Sequence, residues 1–99
     1  MGRPNKLTAG EIEAALTDLP GWELRDGKLH REYSFPDFVH AFGFMAASAV
    51  AIEAMNHHPE WCNVWNRVVV DLTTHDAGGV TSLDVELARK LEFYARKLQ

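Results

Sequence analysis

The residues best suited to proton transfer are His57, His58 and His75, three of the five histidines in the chain. His57 and His58 are adjacent and precede Pro59, and His75 follows the β-rich run Val68 to Thr74. An imidazole ordinarily titrates near ~6.5, so around neutral pH it can take or give a proton. Glu53 lies four residues before His57. If a helix continues that far, the two share a face, and the carboxylate would hold the imidazole in one tautomer. Pro59 disfavours helical backbone at His58, so that side chain should point differently from its neighbour's. Imidazoles in unlike surroundings can divide acid and base roles. Trp61 and Trp65, four apart in an extended run, are expected on one side of a strand, where they would offer a flat heterocycle an aromatic platform. His30 and His40 are read as solvated or capping residues without a role.

Rival chemistries are less well supported. A two-histidine, one-carboxylate metal set would have to use His57, His75 and one of Glu53, Glu60 or Asp84. No HxH or HxxxH pair exists, and adjacent His57 and His58 share one ion only awkwardly, so no metal is expected. Cys62, the single cysteine, falls in an expected strand and reads as a small core residue rather than a nucleophile. Gly78-Gly79 lacks a phosphate-loop pattern.

The elements that would position these residues can be traced from the pattern. Thr8 to Glu11 is a capping box that opens a first helix, Ala9 to about Asp18, ended by Pro20-Gly21. Asp26-Gly27 joins two strand-like runs, Trp22 to Arg25 and Lys28 to Ser34, as a hairpin. A long second helix is expected from Pro36 to Met55, with Phe38, Phe42, Met45, Ala49 and Ile52 as its buried stripe and Pro59 as its stop. Trp61 to Trp65 and Val68 to Thr74 form a second strand pair joined near Asn66-Arg67. Thr81 to Asp84 caps a third helix whose stripe is Leu83, Leu87, Leu91, Tyr94 and Leu98. The expected fold is therefore α+β, in the order α-β-β-α-β-β-α, with one face of a four-stranded antiparallel sheet covered by three helices.

At 99 residues the chain should form one domain, spanning 1–99. A domain of this size buries only roughly two thirds of its unfolded surface, so self-association is a reasonable expectation. The formal charge of −4, with no basic cluster, argues against direct nucleic-acid binding. No apolar signal stretch and no run long enough to span a bilayer is apparent, so no membrane is expected and the reading is a cytoplasmic protein.

The string Glu53-Ala54-Met55-Asn56-His57-His58-Pro59-Glu60-Trp61, with Trp65, Thr74-His75-Asp76 and Asp84, resembles the signature of the pterin-4a-carbinolamine dehydratases. The resemblance extends through Phe35 to Phe38, Ala41 to Met45 and Gly79 to Thr81, across about residues 20–95. It implies the same α+β fold and the elimination of water from a 4a-hydroxytetrahydrobiopterin, giving the quinonoid dihydropterin. That substrate is left by an aromatic amino-acid hydroxylase, so a functional link to such an enzyme is implied. The pterin is substrate, and no organic cofactor or metal is implied. By the resemblance His57, His58 and His75 are the active-site histidines. His57, supported by Glu53, and His75 would exchange the protons, while His58 would bind and orient the pterin. Trp61 would line the pocket, and Asp84 would position His75 or cap the third helix. Trp65 stands where tyrosine is common, a substitution the family pattern accepts. The self-association expected from the size of the domain would be a homo-oligomer, dimer or tetramer. Two non-catalytic alternatives come with the resemblance: a dimerisation cofactor for a transcription factor, and a relative of carboxylase assembly factors.

Overall fold

The computed structural model describes residues 4–99. The chain runs α1 (Ala9–Leu16), β1 (Glu23–Arg25), β2 (Lys28–Ser34), α2 (Phe38–Met55), β3 (Glu60–Val64), β4 (Arg67–Leu72), a 3-10 turn (His75–Ala77) and α3 (Ser82–Leu98). This is the expected α+β order. The sheet is antiparallel throughout, with strand order β1-β2-β4-β3. After β2 the chain crosses through α2 to the far edge, lays down β3, and returns as β4 between β3 and β2.

Local chemistry explains most boundaries. The capping box forms as expected: the Glu11 amide donates to Thr8 Oγ1 at 3.2 Å and the Thr8 amide to Glu11 Oε1 at 2.9 Å. Asp26 (φ 52°) and Gly27 (φ 77°) both take positive φ, as a tight hairpin with matching twist requires. Pro36 lies outside α2, one residue before the cap. Asp37 is the N-cap, its Oδ1 accepting the His40 amide at 2.8 Å and facing His40 Nδ1 at 2.6 Å. The His40 amide first, and then its ring, holds the Asp37 carboxyl below its ordinary range. Asp37 is thus the capping residue, and His40, half-buried at the third position of α2, is its partner rather than the cap. His30 is not solvated: it is buried, with Nδ1 2.8 Å from Asp71 Oδ1.

Of the stripe expected for α2, Ile52 is buried and Met45 packs against the core, but Phe38, Phe42 and Ala49 face outward. The buried residues of the helix are Ala41, Phe44, Ser48, Ala51 and Ile52. The helix is apolar nearly all round, so periodicity could not choose its inner side. By length and composition alone α2 could also cross a membrane, contrary to the reading that no run is long enough. Here its inner face packs on α3 and β4. In α3 the core-facing residues include Val85, Leu87, Ala88, Leu91 and Ala95, while Leu83, Tyr94 and Leu98 are only partly covered.

Leu29, Tyr33, Phe35, Phe44, Val68, Val70, Leu72, Leu87 and Leu91 form the centre of the core between sheet and helices. Tyr33 is fully buried, and its hydroxyl donates to Glu92 Oε1 at 2.6 Å, which also accepts Trp22 Nε1 at 2.9 Å. Burial first, and then Glu92, pushes the Tyr33 phenol far above its ordinary range. Cys62 points away from this core and is exposed, correcting the expectation of a buried thiol. It pairs with Val69 on the sheet face opposite Val68 and Val70.

Candidate active site

Helix α2 ends because Asn56 turns left-handed (φ 50°, ψ 41°), three residues before Pro59, a conformation Asn tolerates better than most residues. This changes what surrounds the adjacent histidines. His57 no longer lies on the helix face of Glu53, and its ring turns inward, only 6 % exposed. Its Nε2 sits 2.6 Å from Asp84 Oδ1. Glu53 instead faces His58, Oε1 to Nε2 at 3.1 Å, both side chains exposed. The expected Glu53–His57 pairing is therefore replaced by Glu53–His58 and Asp84–His57.

Asp84 is completely buried at the third position of α3. Its Oδ2 accepts the Thr74 hydroxyl at 2.8 Å and the Thr81 amide at 2.9 Å. The Thr74 and Thr81 hydroxyls lie 2.8 Å apart. Asp84 thus caps α3, as one of its two expected roles required, and positions His57 rather than His75. The same carboxylate ties the end of β4 to the start of α3 and fixes an imidazole with its free oxygen. Buried carboxylates persist when hydrogen bonds satisfy them in this way.

His75 opens the 3-10 turn just after Thr74, whose amide bonds the Gly79 carbonyl at 2.9 Å. Its ring is 79 % exposed, with Nε2 3.3 Å from Glu60 Oε2. Glu60 Oε1 in turn accepts from Lys28 Nζ at 2.6 Å. Hydrogen bonding from Lys28, the largest cause, holds the Glu60 carboxyl below its ordinary range.

Asn56, His57, His58, Thr73, Thr74, His75 and Asp76 line one open cleft of about 290 Å³. The three histidines come together there as expected. Trp61 is not in that lining. It is half-buried and packs edge-on to Phe44, ring centroids 6.4 Å apart. Trp65 does not share its side of the strand, because β3 ends at Val64 and Trp65 sits in the hairpin turn with φ 50°, 66 % exposed. Thr81 was expected as a partner of Asp84 through the capping box, but Thr74 was missed there, as were Glu60 and Lys28 as partners of His75. Thr74 stood next to His75 in sequence, but nothing there marked Lys28. Among the described residues no cluster of His, Cys, Asp and Glu is arranged to hold a metal ion.

A larger groove, about 480 Å³, runs beside Leu19, Glu92, Phe93 and Arg96. It contains no histidine, and its buried acid, Glu92, is spent on Trp22 and Tyr33. His57, His58 and His75 lie in the smaller cleft.

The fold and cleft define an α+β protein with three histidines, each meeting a carboxylate through Nε2, around one small concavity. Comparison with known proteins gives that arrangement a family. The pterin 4 alpha carbinolamine dehydratase profile matches residues 5–94, and the chain belongs to this family. It is 59 % identical over 90 residues to a Solibacter usitatus protein that bears the pterin-4-alpha-carbinolamine dehydratase name provisionally, covering 91 % of this chain and 95 % of that one. A similarly named Chelativorans protein is 50 % identical over 94 residues, covering 93 % and 96 %. A crystal structure described as a transcriptional coactivator/pterin dehydratase from Brucella melitensis superposes with a TM-score of 0.89 at 48 % identity, covering 92 % of this chain and 99 % of that one.

Proposed function

We propose that the protein removes water from a 4a-hydroxytetrahydropterin of the tetrahydrobiopterin type, giving the quinonoid dihydropterin for reduction and reuse. One imidazole takes the N5 proton as the C4a–O bond breaks. A second gives a proton to the departing hydroxyl, so the products are the C4a=N5 bond and water. His57 and His75 are the proton handlers; His58, on the outer wall with Glu53, binds and orients the pterin. The observation that carries this reading is the placement of His57, His58 and His75 around one cleft, and family membership supports it. Two positioned acid–base groups could contribute on the order of 10² to 10⁴ each to the rate. The reaction needs no bound cofactor. It does need a supplier of the 4a-hydroxypterin, a hydroxylase that spends tetrahydropterin, and such an enzyme shares this protein's compartment, the cytoplasm.

The test is stopped-flow decay of the 4a-carbinolamine absorbance. Wild-type protein accelerates the decay, and His57→Ala and His75→Ala each slow it by at least 10²-fold. A wild-type rate equal to the uncatalysed background would sink the enzyme reading.

A second, compatible role has its own observation. Phe38, Val39, Phe42 and Val50 expose a continuous apolar side of α2, each 48 % or more accessible. Such a face suits another helix, whether from a second copy of this chain in a homo-oligomer or from a partner protein. The dual description of the Brucella structure is in keeping with it.

A further inference from the structure

The His75 side chain is the most exposed of the cleft histidines, and among the described residues the one partner recorded for its ring is Glu60. Glu60 opens β3 directly after Pro59, and Lys28 opens β2. Both strands pair with β4, Glu60 opposite Asp71 and Leu29 opposite Leu72, so their ends meet where the chain leaves β4 for His75. One Glu60 oxygen takes Lys28 Nζ at 2.6 Å and the other faces His75 Nε2 at 3.3 Å. Glu60 and Lys28 are not in the lining of the cleft, whereas His75 is. Its Nε2 thus faces a carboxylate that lies outside that lining. An ionised carboxylate only accepts hydrogen bonds, so at this ion-pair distance it favours the tautomer with the proton on the nitrogen that faces it.

We infer that Glu60, braced by Lys28, is a positioning residue that keeps the His75 proton on Nε2 and presents the Nδ1 lone pair to the cleft as the proton-exchanging atom. His57 is arranged alike by a different route, its Nε2 on Asp84 and its Nδ1 without a recorded partner among the described residues. The two handlers then meet substrate through the same ring atom, Nδ1, one from a buried wall and one from an exposed rim. The neutral ring takes the N5 proton there, and the ring that carries a second proton there gives it to the departing hydroxyl. Exposed ion pairs such as Lys28–Glu60 add little to stability, so variants here should stay folded and report on orientation.

The catalytic consequence rests on the dehydratase reading, but the tautomer does not. Imidazole ¹⁵N spectra of the full chain, at a pH where the ring is neutral, measure it directly. Wild type should show the Nε2–H form of His75 in excess of free histidine, Glu60→Gln should fall back toward free histidine, and Glu60→Asp should recover part of the excess. Wild-type populations equal to those of free histidine, or populations unmoved by Glu60→Gln, overturn the inference; populations unmoved by Lys28→Met overturn the bracing. In turnover, Glu60→Gln should lower kcat about 2- to 10-fold, the equivalent of one net hydrogen bond, at unchanged KM. The loss should vanish in a His75→Ala background. An equal loss in both backgrounds means Glu60 does not act through His75. Absence of wild-type turnover sinks the dehydratase reading alone, because the spectra still decide the tautomer.

Discussion

Replacing Asp84 by asparagine tests whether the buried carboxylate chooses the working tautomer of His57. Asp84 accepts three hydrogen bonds, from His57 Nε2 at 2.6 Å, the Thr74 hydroxyl at 2.8 Å and the Thr81 amide at 2.9 Å. Asparagine has one acceptor oxygen, so one side of the site must face an NH₂ group. Against Thr81 that would set donor against a backbone donor that cannot change. Against His57 it sets donor against a ring that can, by moving its proton to Nδ1. The second arrangement wins, and the cleft then meets N–H where it had a lone pair. Trading charge-assisted hydrogen bonds for neutral ones costs roughly 1–2 kcal/mol. A domain of this size should lose about 4–8 °C in Tm for each kcal/mol. The kcat should fall far more than that stability loss explains, on the order of 10²- to 10⁴-fold, as expected when an orienting carboxylate is exchanged for an amide that selects the wrong tautomer. Calorimetry and stopped-flow decay on the same preparation separate the two effects. An Asp84→Asn protein with the expected Tm loss but kcat within threefold of wild type refutes tautomer control.

Three further outcomes are expected. Tyr33 has its phenol raised by burial and Glu92, so its contribution to stability is complete below the ordinary tyrosine pKa of about 10 and is lost as pH rises above it; absorbance at 295 nm should therefore show Tyr33 ionising only as the protein unfolds, and Tyr33→Phe should remove that coupling. Phe42→Glu with Val50→Glu should lower the mass measured by sedimentation without altering the circular dichroism, and an unchanged mass would take self-association away from this side of α2. Asn56→Gly should leave stability within about 1 kcal/mol, because glycine accepts the left-handed cap, whereas Asn56→Val should cost more than that and displace His57, read as a lower Tm and a lower kcat together.

Much of the fold was legible because several levels agreed. Thr8 with Glu11 and Thr81 with Asp84 marked helix starts, and Asp26-Gly27 marked a hairpin; each depends on chemistry within four residues. The inner side of α2 was not legible, because a helix with Phe38, Val39 and Phe42 on one side and Ala41, Phe44 and Ile52 on the other shows two apolar faces. Only the packing partners, α3 and the sheet, distinguish them. Trp65 misled for a different reason: a large aromatic in an apparent strand suggested alternation, and the left-handed turn that ends β3 cannot be read from its side chain.

The histidine site divides along the same line. Its members were legible and its wiring was not, and one backbone torsion accounts for much of the difference. If the helix continued through His57, Glu53 would be its partner at helical spacing, and the handler would share a solvent-exposed carboxylate. Because Asn56 turns left-handed, His57 swings inward onto Asp84, and Glu53 is left for His58. The proposed proton handler then receives the carboxylate with 0 % exposure and the proposed binder the one with 83 %. That allocation suits the chemistry. A handler benefits from a partner that water cannot screen and that cannot rotate away, whereas a residue that greets and releases substrate can tolerate a mobile one.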